Sequence, residues 1–214
     1  MIADDSESMR LAYQNMLGTV EDIEVVATVS DGQEALDSAA ELTPDVAVLD
    51  VRMPKLDGLA VANRITATSS ETAIVLVSAY DDLAFVRAIM HSGASRKAYI
   101  LKSSLGDISE FIRVVEAVAK GQGVLHGAIA QNLIKIYHRL AISQATPLTD
   151  TEERVLELML EGYDDTEIAQ HLGVPFETFD ALAISLCEKL GLTVQQGINR
   201  SPQVVHHLVN LCVS

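Results

Sequence analysis

The sequence predicts an α/β domain built on a parallel β-sheet, followed by a small all-α domain. Over the first 120 residues, short apolar runs alternate with helical segments, which is typical of parallel strands joined by right-handed helical crossovers. Beyond residue 148 only helical patterns occur, separated by single glycines. Four of the apolar runs end in polar side chains, which indicates a polar edge on the sheet.

Five strands are predicted from the apolar runs at residues 1–3, 24–28, 45–49, 73–78 and 98–101. Helices are predicted between and after them, near residues 7–17, 32–41, 57–67, 82–91 and 106–120. Gly121 and Gly123 break the alternation, so the first domain is predicted to cover residues 1–120. The chain starts only three residues before Asp4, so we expect either a short first strand or a true start farther upstream.

A linker containing a helix is predicted for residues 121–147. The helix, at about residues 127–142, carries an apolar heptad stripe of Ile129, Leu133, Ile136 and Leu140. We favour packing of this stripe on a neighbouring domain over a dimeric coiled coil, because it spans fewer than three heptads.

The second domain is predicted to cover residues 148–214, with helices at about 151–161, 165–172, 176–190 and 202–212. Glycines 162, 173 and 191 end the first three of these helices. A short helix, a glycine turn and a longer helix occur in the order of a helix-turn-helix.

The composition excludes several classes of protein. Apolar residues make up 49% of the 214 residues, but no apolar stretch approaches the ~20 residues that a membrane-spanning helix needs. Two cysteines are too few for a disulfide framework, and the opening residues do not resemble a signal peptide, so we expect a cytoplasmic protein. The net charge of −15 argues against general affinity for nucleic acid or membranes.

The polar strand ends predict a phosphoryl-transfer site. Asp4 and Asp5 follow the first strand, and Asp50, Ser78 and Lys102 end three others, so all five are expected at one crevice of the sheet. Three carboxylates repel one another, and their oxygen atoms suit a hard cation such as Mg²⁺. Asp50 can accept a phosphoryl group as an aspartyl-phosphate, with Lys102 and Ser78 supplying compensating charge and a hydrogen-bond donor.

The polar residues at the strand ends allow two other interpretations. Each aspartate alone fits a strand-end turn, but four matched strand ends favour the combined site. A phosphatase of the haloacid-dehalogenase type needs a second Asp two residues after its nucleophile, and this chain has Arg52 there.

Residues 1–120 resemble the receiver domain of bacterial two-component response regulators. The likeness rests on Asp4-Asp5, Asp50 with Met53-Pro54 and Asp57-Gly58, Ser78, and Tyr99 three residues before Lys102. It implies a flavodoxin-like, doubly wound sheet of five parallel strands. It also implies phosphorylation by a histidine kinase, with a role for each matched residue: Asp50 as phosphoacceptor, Asp4, Asp5, Asp50 and the Arg52 carbonyl around Mg²⁺, Lys102 on the phosphate, and Ser78 and Tyr99 as a switch pair.

The second domain resembles the LuxR/NarL-type DNA-binding domain. The likeness is carried by Leu148-Thr149, Glu152 to Val155, Glu161-Gly162, Thr166 to Ala169, Leu172 to Val174, Thr178 and Lys189 to Gly191. The whole chain is thus similar to a NarL/FixJ-class response regulator. This implies phosphorylation-controlled transcription and a phosphorylation-dependent homodimer. It also implies that the protein is no conventional enzyme, although it accepts a phosphoryl group and slowly hydrolyses its own aspartyl-phosphate.

The recognition helix departs from that family. After Thr178 the family usually has an apolar residue, Lys and two polar residues, whereas this chain has Phe179 and then a degenerate set of Asp180, Ala181, Leu182 and, farther on, Ile184. Helical spacing predicts that Phe179, Ala183, Leu186 and Leu190 are buried, which leaves Leu182 and Ile184 either exposed as a protein contact or repacked.

The charge of the second domain is also unusual. Residues 147–214 contain eleven acidic and three basic residues, a net charge of −8. DNA binding draws on Lys and Arg that neutralise phosphates, and this footprint is missing. Two hypotheses therefore remain open: a transcription factor whose DNA contacts are weak, indirect or partner-assisted, and a regulator whose output domain mediates dimerisation or partner binding without DNA.

Overall fold

The computed structural model describes residues 1–69, 71–104, 106–141, 147–193 and 199–213. Contacts divide the chain into two compact units. The first comprises Met1–Asp81 and Arg96–Gly121, and the second comprises Asp82–Ser95 and Gln122–Ser214. The domain boundaries drawn from the sequence, at 120 and 147, stay predictions.

Strands and helices alternate in the first half of the chain. In chain order they are β1 (Ile2–Ala3), α1 (Glu7–Leu17), β2 (Thr28–Val29), α2 (Gly32–Leu42), β3 (Val46–Asp50), α3 (Gly58–Thr68), β4 (Ala73–Ser78), α4 (Leu83–Met90), β5 (Lys97–Leu101) and α5 (Ile108–Ala119). A short 3-10 turn, Lys102–Ser104, follows β5.

The strands of the first unit pair in parallel, in the order β2-β1-β3-β4-β5. All of β4 and β5 is buried, as is β3 apart from its first residue, so these strands consist of apolar runs without alternation. The prediction of a parallel, doubly wound α/β fold is confirmed, and the C-terminal ends of its strands lie at one edge.

Two strand predictions are corrected. Regular pairing in β2 is limited to Thr28–Val29, although Ala27 accepts a hydrogen bond from the Ile2 amide at 2.9 Å. β2 is an edge strand with one neighbour, and Val26 is 45% exposed, so little burial enforces the predicted strand at 24–28. The chain also contains a sixth strand, β6 (Gly123–Leu125), which belongs to the second unit and was not predicted.

The second unit is mainly helical. It contains α4, β6, α6 (Gly127–Ala141), α7 (Asp150–Leu160), α8 (Asp165–Leu172), α9 (Phe176–Lys189) and α10 (Ser201–Cys212). The starts of α7 and α8 are fixed by capping boxes, Thr149 with Glu152 and Asp164 with Glu167. The helices therefore begin where acidic first turns predict them. The all-α character predicted for residues 148–214 is confirmed over the described residues.

The apolar faces of α6 and α9 can be compared with their predictions. In α6, Ile129 and Leu133 are buried, but Leu140 is 49% exposed, because the buried face turns towards Ile134 and Tyr137. This face packs on α7 and α10 within the unit. In α9 the predicted burial is confirmed for Phe179, Ala183, Leu186 and Leu190. Of the predicted linker, residues 142–146 lie outside the described residues.

Two further observations concern the chain as a whole. Cys187 and Cys212 are both free thiols, which agrees with the absence of a disulfide framework. Among the described residues, none of the helices has the length and apolar character required to cross a membrane.

Candidate functional site

Three aspartates meet at the C-terminal edge of the sheet. Asp4 follows β1 and is fully buried, Asp50 ends β3 and is 6% exposed, and Asp5 is exposed. One carboxylate oxygen of each lies within 4.8 Å of the others. Three negative charges at this spacing repel one another, and carboxylate oxygens are the ligands that Mg²⁺ prefers, so the donor set fits a divalent cation.

Lys102 brings one positive charge to this acidic cluster. It directly follows β5, and its Nζ lies 2.8 Å from Asp4 Oδ2 and 3.1 Å from Asp50 Oδ2. Burial alone would lower the pKa of Lys102, but its hydrogen bond to Asp4 and the charge of Asp50 raise it above the ordinary value. Lys102 is therefore protonated at neutral pH, and one cation faces three carboxylates.

The environment of Asp50 favours added positive charge. Burial raises the pKa of Asp50, Lys102 opposes that rise, and Asp4 adds to it. The backbone N–H of Arg52 also donates a hydrogen bond to the carboxylate. A second cation at this position would stabilise the ionised Asp50 that burial and Asp4 disfavour. The predicted ligand role of the Arg52 carbonyl stays a prediction.

Ser78 and Tyr99 both hydrogen-bond to the backbone of Tyr80. The Tyr80 amide donates to Ser78 Oγ at 3.0 Å, and the Tyr99 hydroxyl donates to the Tyr80 carbonyl at 3.0 Å. Ser78 is the buried last residue of β4, and the Tyr99 side chain is fully buried in β5. The Tyr80 ring is 59% exposed and lies 5.2 Å from the Arg52 guanidinium. Tyr80 could not be recognised from the sequence, because its contacts to Ser78 and Tyr99 use backbone atoms, which any residue supplies.

The loop after Asp50 is held close to the sheet. A Cβ on Gly58 would lie 2.1 Å from the Asp50 carbonyl oxygen, so only glycine allows α3 to start there. Asp57 caps α3 by accepting from the Ala60 amide at 2.7 Å. Lys55 lies 2.6 Å from Asp31, the buried cap of α2. The Asp57-Gly58 pair that suggested the family therefore fixes the backbone around Asp50.

Tyr13 is a second polar side chain that the sequence analysis missed. It lies on α1, its ring centroid is 5.4 Å from that of Phe111, and its hydroxyl has no hydrogen-bond partner among the described residues. Burial raises its pKa, and the charges of Asp4 and Asp50 raise it further. A tyrosine on the buried face of a helix has the pattern of a core residue, so nothing in the sequence distinguished it.

The residues predicted on the output helix occupy different environments in α9. Ala181 is exposed, and Asp180, Leu182 and Ile184 are half-buried. Leu182 and Ile184 are therefore neither fully exposed, as expected for a protein contact, nor fully buried, as expected after repacking. The Asp180 carboxylate accepts a hydrogen bond from Arg200, one of the three bases in residues 147–214.

Comparisons with known proteins cover the whole chain. The family described as the response regulator receiver domain matches residues 1–116. The oxygen regulatory protein NreC of Staphylococcus haemolyticus (strain JCSC1435) is 32% identical, with 90% of each chain covered. The transcriptional regulatory protein DegU of Brevibacillus brevis is 27% identical over 98% of this chain and 92% of its own.

Solved structures give the same picture at the level of the fold. The signal receiver domain of the response regulator NarL from Mycobacterium tuberculosis is 33% identical, with a TM-score of 0.52, and covers 56% of this chain and 94% of its own. The RcsB response regulator of Salmonella typhimurium covers 100% of this chain and 97% of its own, at 22% identity and a TM-score of 0.56. The latter likeness concerns the fold alone.

Proposed function

This chain belongs to the NarL/FixJ-type two-component response regulators, and we propose that it receives its signal as a phosphoryl group on Asp50. The observation that supports this most strongly is the cluster of Asp4, Asp5 and Asp50 with Lys102 at the C-terminal ends of the parallel strands β1, β3 and β5. Among the described residues, no other group of three acidic, histidine or cysteine side chains lies close enough together to hold a metal ion.

The proposed reaction is transfer from a phosphohistidine of a histidine kinase. An oxygen of Asp50 attacks the phosphorus, the bond from phosphorus to the imidazole nitrogen breaks, and the imidazole leaves with the electron pair. Lys102, held now by Asp4 and Asp50, then neutralises charge on the phosphoryl oxygens. Asp4, Asp5 and Asp50, with the Arg52 carbonyl, would hold Mg²⁺, which supplies further charge neutralisation when bound. Slow hydrolysis of the acyl phosphate resets Asp50.

The switch proposal follows from the Tyr80 backbone. A phosphate on Asp50 offers the Ser78 hydroxyl a charged acceptor, and a hydroxyl drawn towards it would move away from the Tyr80 amide, from which it now accepts a hydrogen bond. A shift of Ser78 would release that amide and alter the bond from Tyr99 to the Tyr80 carbonyl. Tyr99 is already buried, so the change is expected in Tyr80 and the following α4 more than in the Tyr99 side chain.

The proposed output is control of transcription by a cytoplasmic, phosphorylation-dependent homodimer. The DegU relative is named a transcriptional regulatory protein, and the NreC relative an oxygen regulatory protein. The second candidate is a regulator whose output domain binds proteins without touching DNA. The net charge of −8 over residues 147–214 favours this candidate.

The phosphorylation proposal is tested by incubating the full chain with a small acyl-phosphate donor, with Mg²⁺ or with a chelator. Wild type should take up phosphate that hydroxylamine releases, and only with Mg²⁺. Asp50→Asn keeps the shape of the side chain without the nucleophilic carboxylate and should take up none. Uptake by the Asn variant at the wild-type level would show that another residue is the acceptor.

A further inference from the structure

Arg200 is a fully buried cation in the output domain. It caps the start of α10 and is only 1% exposed, and no other arginine of the described chain is classed as buried. Its Nη1 donates to Asp165 Oδ2 at 3.0 Å, and its Nη2 donates to the Asp180 carboxylate. We call these three residues the Arg200 cluster. Asp165 begins α8 and Asp180 lies in α9, so one guanidinium joins the starts of α8 and α10 to α9.

A buried guanidinium requires these carboxylates. Removing a cation from water is costly unless charged partners with good geometry replace the lost hydration. Asp165 and Asp180 provide two such partners, and the Asp180 side chain is 26% exposed, so it faces Arg200 as well as solvent. The acidic residue at position 180, where the family usually has Lys, therefore has a partner inside the domain.

The other two bases of the output domain are also paired. Lys189 Nζ lies 2.6 Å from Glu152, and Arg154 lies 2.9 Å from Glu157. Residues 147–214 contain no further Lys or Arg. Every residue of α9 is described, and its exposed positions carry two acids and no base: Phe176, Glu177, Thr178, Ala181 and Glu188.

We propose that the Arg200 cluster fixes α9 as a structural helix and removes position 180 from DNA recognition, so that the output domain does not bind duplex DNA through α9. This inference rests on the proposed function only in treating residues 148–214 as a LuxR-type output domain. It makes Asp180 a specificity-determining residue, because the carboxylate that holds Arg200 stands where the family usually has Lys, a residue type that neutralises phosphates in DNA binding.

The Arg200 cluster predicts different effects on folding for Lys substitutions at the neighbouring positions 180 and 181. Asp180→Lys would place a second cation against buried Arg200 and should disrupt the packing of α8, α9 and α10. Ala181→Lys places its charge on the exposed side of α9 and should leave the fold intact. Restoring Lys at position 180, as the family pattern suggests, is therefore a poor test of DNA binding, whereas exposed positions of α9 give a clean one.

The structural half of the proposal is tested by thermal unfolding of the full chain. Asp180→Asn retains the side-chain shape but loses the charge, and it should lower the unfolding midpoint of the helical unit by about 5 °C. Glu177→Gln, an exposed acid on the same helix, is the matched control and should not change the midpoint. Equal midpoints for wild type and Asp180→Asn would overturn the structural role of the cluster.

The recognition half is tested by anisotropy with a fluorescent random-sequence duplex over a series of salt concentrations, and by selection from a pool of random duplexes. Full-length wild type, phosphorylated or not, should show no salt-dependent binding and select no sequence. One face of α9 carries Glu177, Ala181 and Glu188. A variant with Lys at all three positions should bind duplex DNA. The slope of log affinity against log salt should steepen by about 3, since each phosphate contact contributes about 0.9.

One result would overturn the recognition half: a duplex that the wild type binds or selects, phosphorylated or not, and whose binding Thr178→Glu or Ala181→Glu abolishes. Phosphate on Asp50 is measured in the same samples on a phosphate-affinity gel. If wild type takes up no phosphate, the proposed function fails, and the DNA result for the unphosphorylated chain still decides the inference.

Discussion

Tyr80 connects the two side chains expected to sense the phosphate. Its amide donates to Ser78 and its carbonyl accepts from Tyr99, so any movement of Ser78 towards a phosphate acts first on this backbone unit. Tyr80 precedes the cap of α4, Asp82, by two residues. The route from the site to α4 is thus a short stretch of backbone, and substitutions at Ser78 should reveal it.

Replacing Ser78 with Ala should separate switching from phosphorylation. The unphosphorylated variant loses the acceptor for the Tyr80 amide, a loss of about 1 kcal/mol, which corresponds to about fivefold faster hydrogen exchange of that amide. Phosphorylation of Asp50 should persist. Ser78→Thr keeps the hydroxyl and should keep the wild-type exchange rate. Loss of phosphorylation in a folded Ala variant would contradict this division of roles.

Replacing Lys102 with Met should show how strongly the acidic cluster needs a cation. Without Lys102, buried Asp4 and Asp50 lack compensation, and the free energy of unfolding should fall by about 3 kcal/mol in the absence of Mg²⁺. Added Mg²⁺ should stabilise this variant more than wild type, as measured by denaturant unfolding. Lys102→Arg is the control. Equal stabilisation by Mg²⁺ in wild type and Lys102→Met would mean that the two cations do not share these carboxylates.

At the scale of elements, Glu152 joins the start of α7 to α9. Its carboxylate accepts from the Thr149 amide at 2.7 Å, from Ser185 Oγ at 2.8 Å and from Lys189 Nζ at 2.6 Å. Burial alone would raise the pKa of Glu152, but the hydrogen bonds from Lys189, Thr149 and Ser185 outweigh it and lower the pKa from 4.5 to about 2. The ionised form of Glu152 is therefore the one that stabilises the helical unit.

Glu152→Gln should destabilise the helical unit in a pH-dependent manner. A lowered pKa in the folded state contributes stability that is complete above the unfolded value of 4.5 and is lost as the pH falls towards about 2. At pH 7 the Gln variant should lose about 2 kcal/mol, and the difference from wild type should shrink steadily below pH 4.5. Asp150→Asn, at an exposed position in the first turn of the same helix, is the control. A pH-independent difference would contradict the role of the Glu152 charge.

Elements with strong burial could be predicted from the sequence, and elements with weak burial could not. β4 and all of β3 except Val46 are buried, so their apolar runs match the structure within one residue. β2 is an edge strand whose pairing is confined to two residues, and β6 has only three, too few for a periodic signal. The stripe on α6 misled at Leu140, because a helix of 3.6 residues per turn rotates the later positions away from a straight seam.

At the scale of the whole molecule, the acidic cluster of the receiver and the Arg200 cluster differ in how well the sequence predicts them. In the receiver, Asp4 and Lys102 directly follow strands and Asp50 ends one, so parallel topology brings these three residues together. In the output domain, Arg200 meets Asp180 across 20 residues and Asp165 across 35. No periodic pattern in the sequence links these positions, so the burial of Arg200 could not be predicted.

The two domains also differ in the charged groups that they offer to a ligand. An acidic cluster with one lysine in the first unit fits a phosphoryl group and a divalent cation, whereas residues 147–214 use each of their three bases in a pair with an acid. The central claim is therefore that the signal enters at Asp50, and the output domain determines only how that signal is read.

The most direct test of this claim identifies the phosphorylated residue itself. Full-length protein is treated with a small acyl-phosphate donor and Mg²⁺, reduced with borohydride, which converts an aspartyl-phosphate to homoserine, and digested for mass spectrometry. The account predicts homoserine at position 50 and at no other aspartate, with none when Mg²⁺ is chelated. Homoserine at Asp4 or Asp5 instead, or an unmodified Asp50 in protein that carries phosphate, would contradict it.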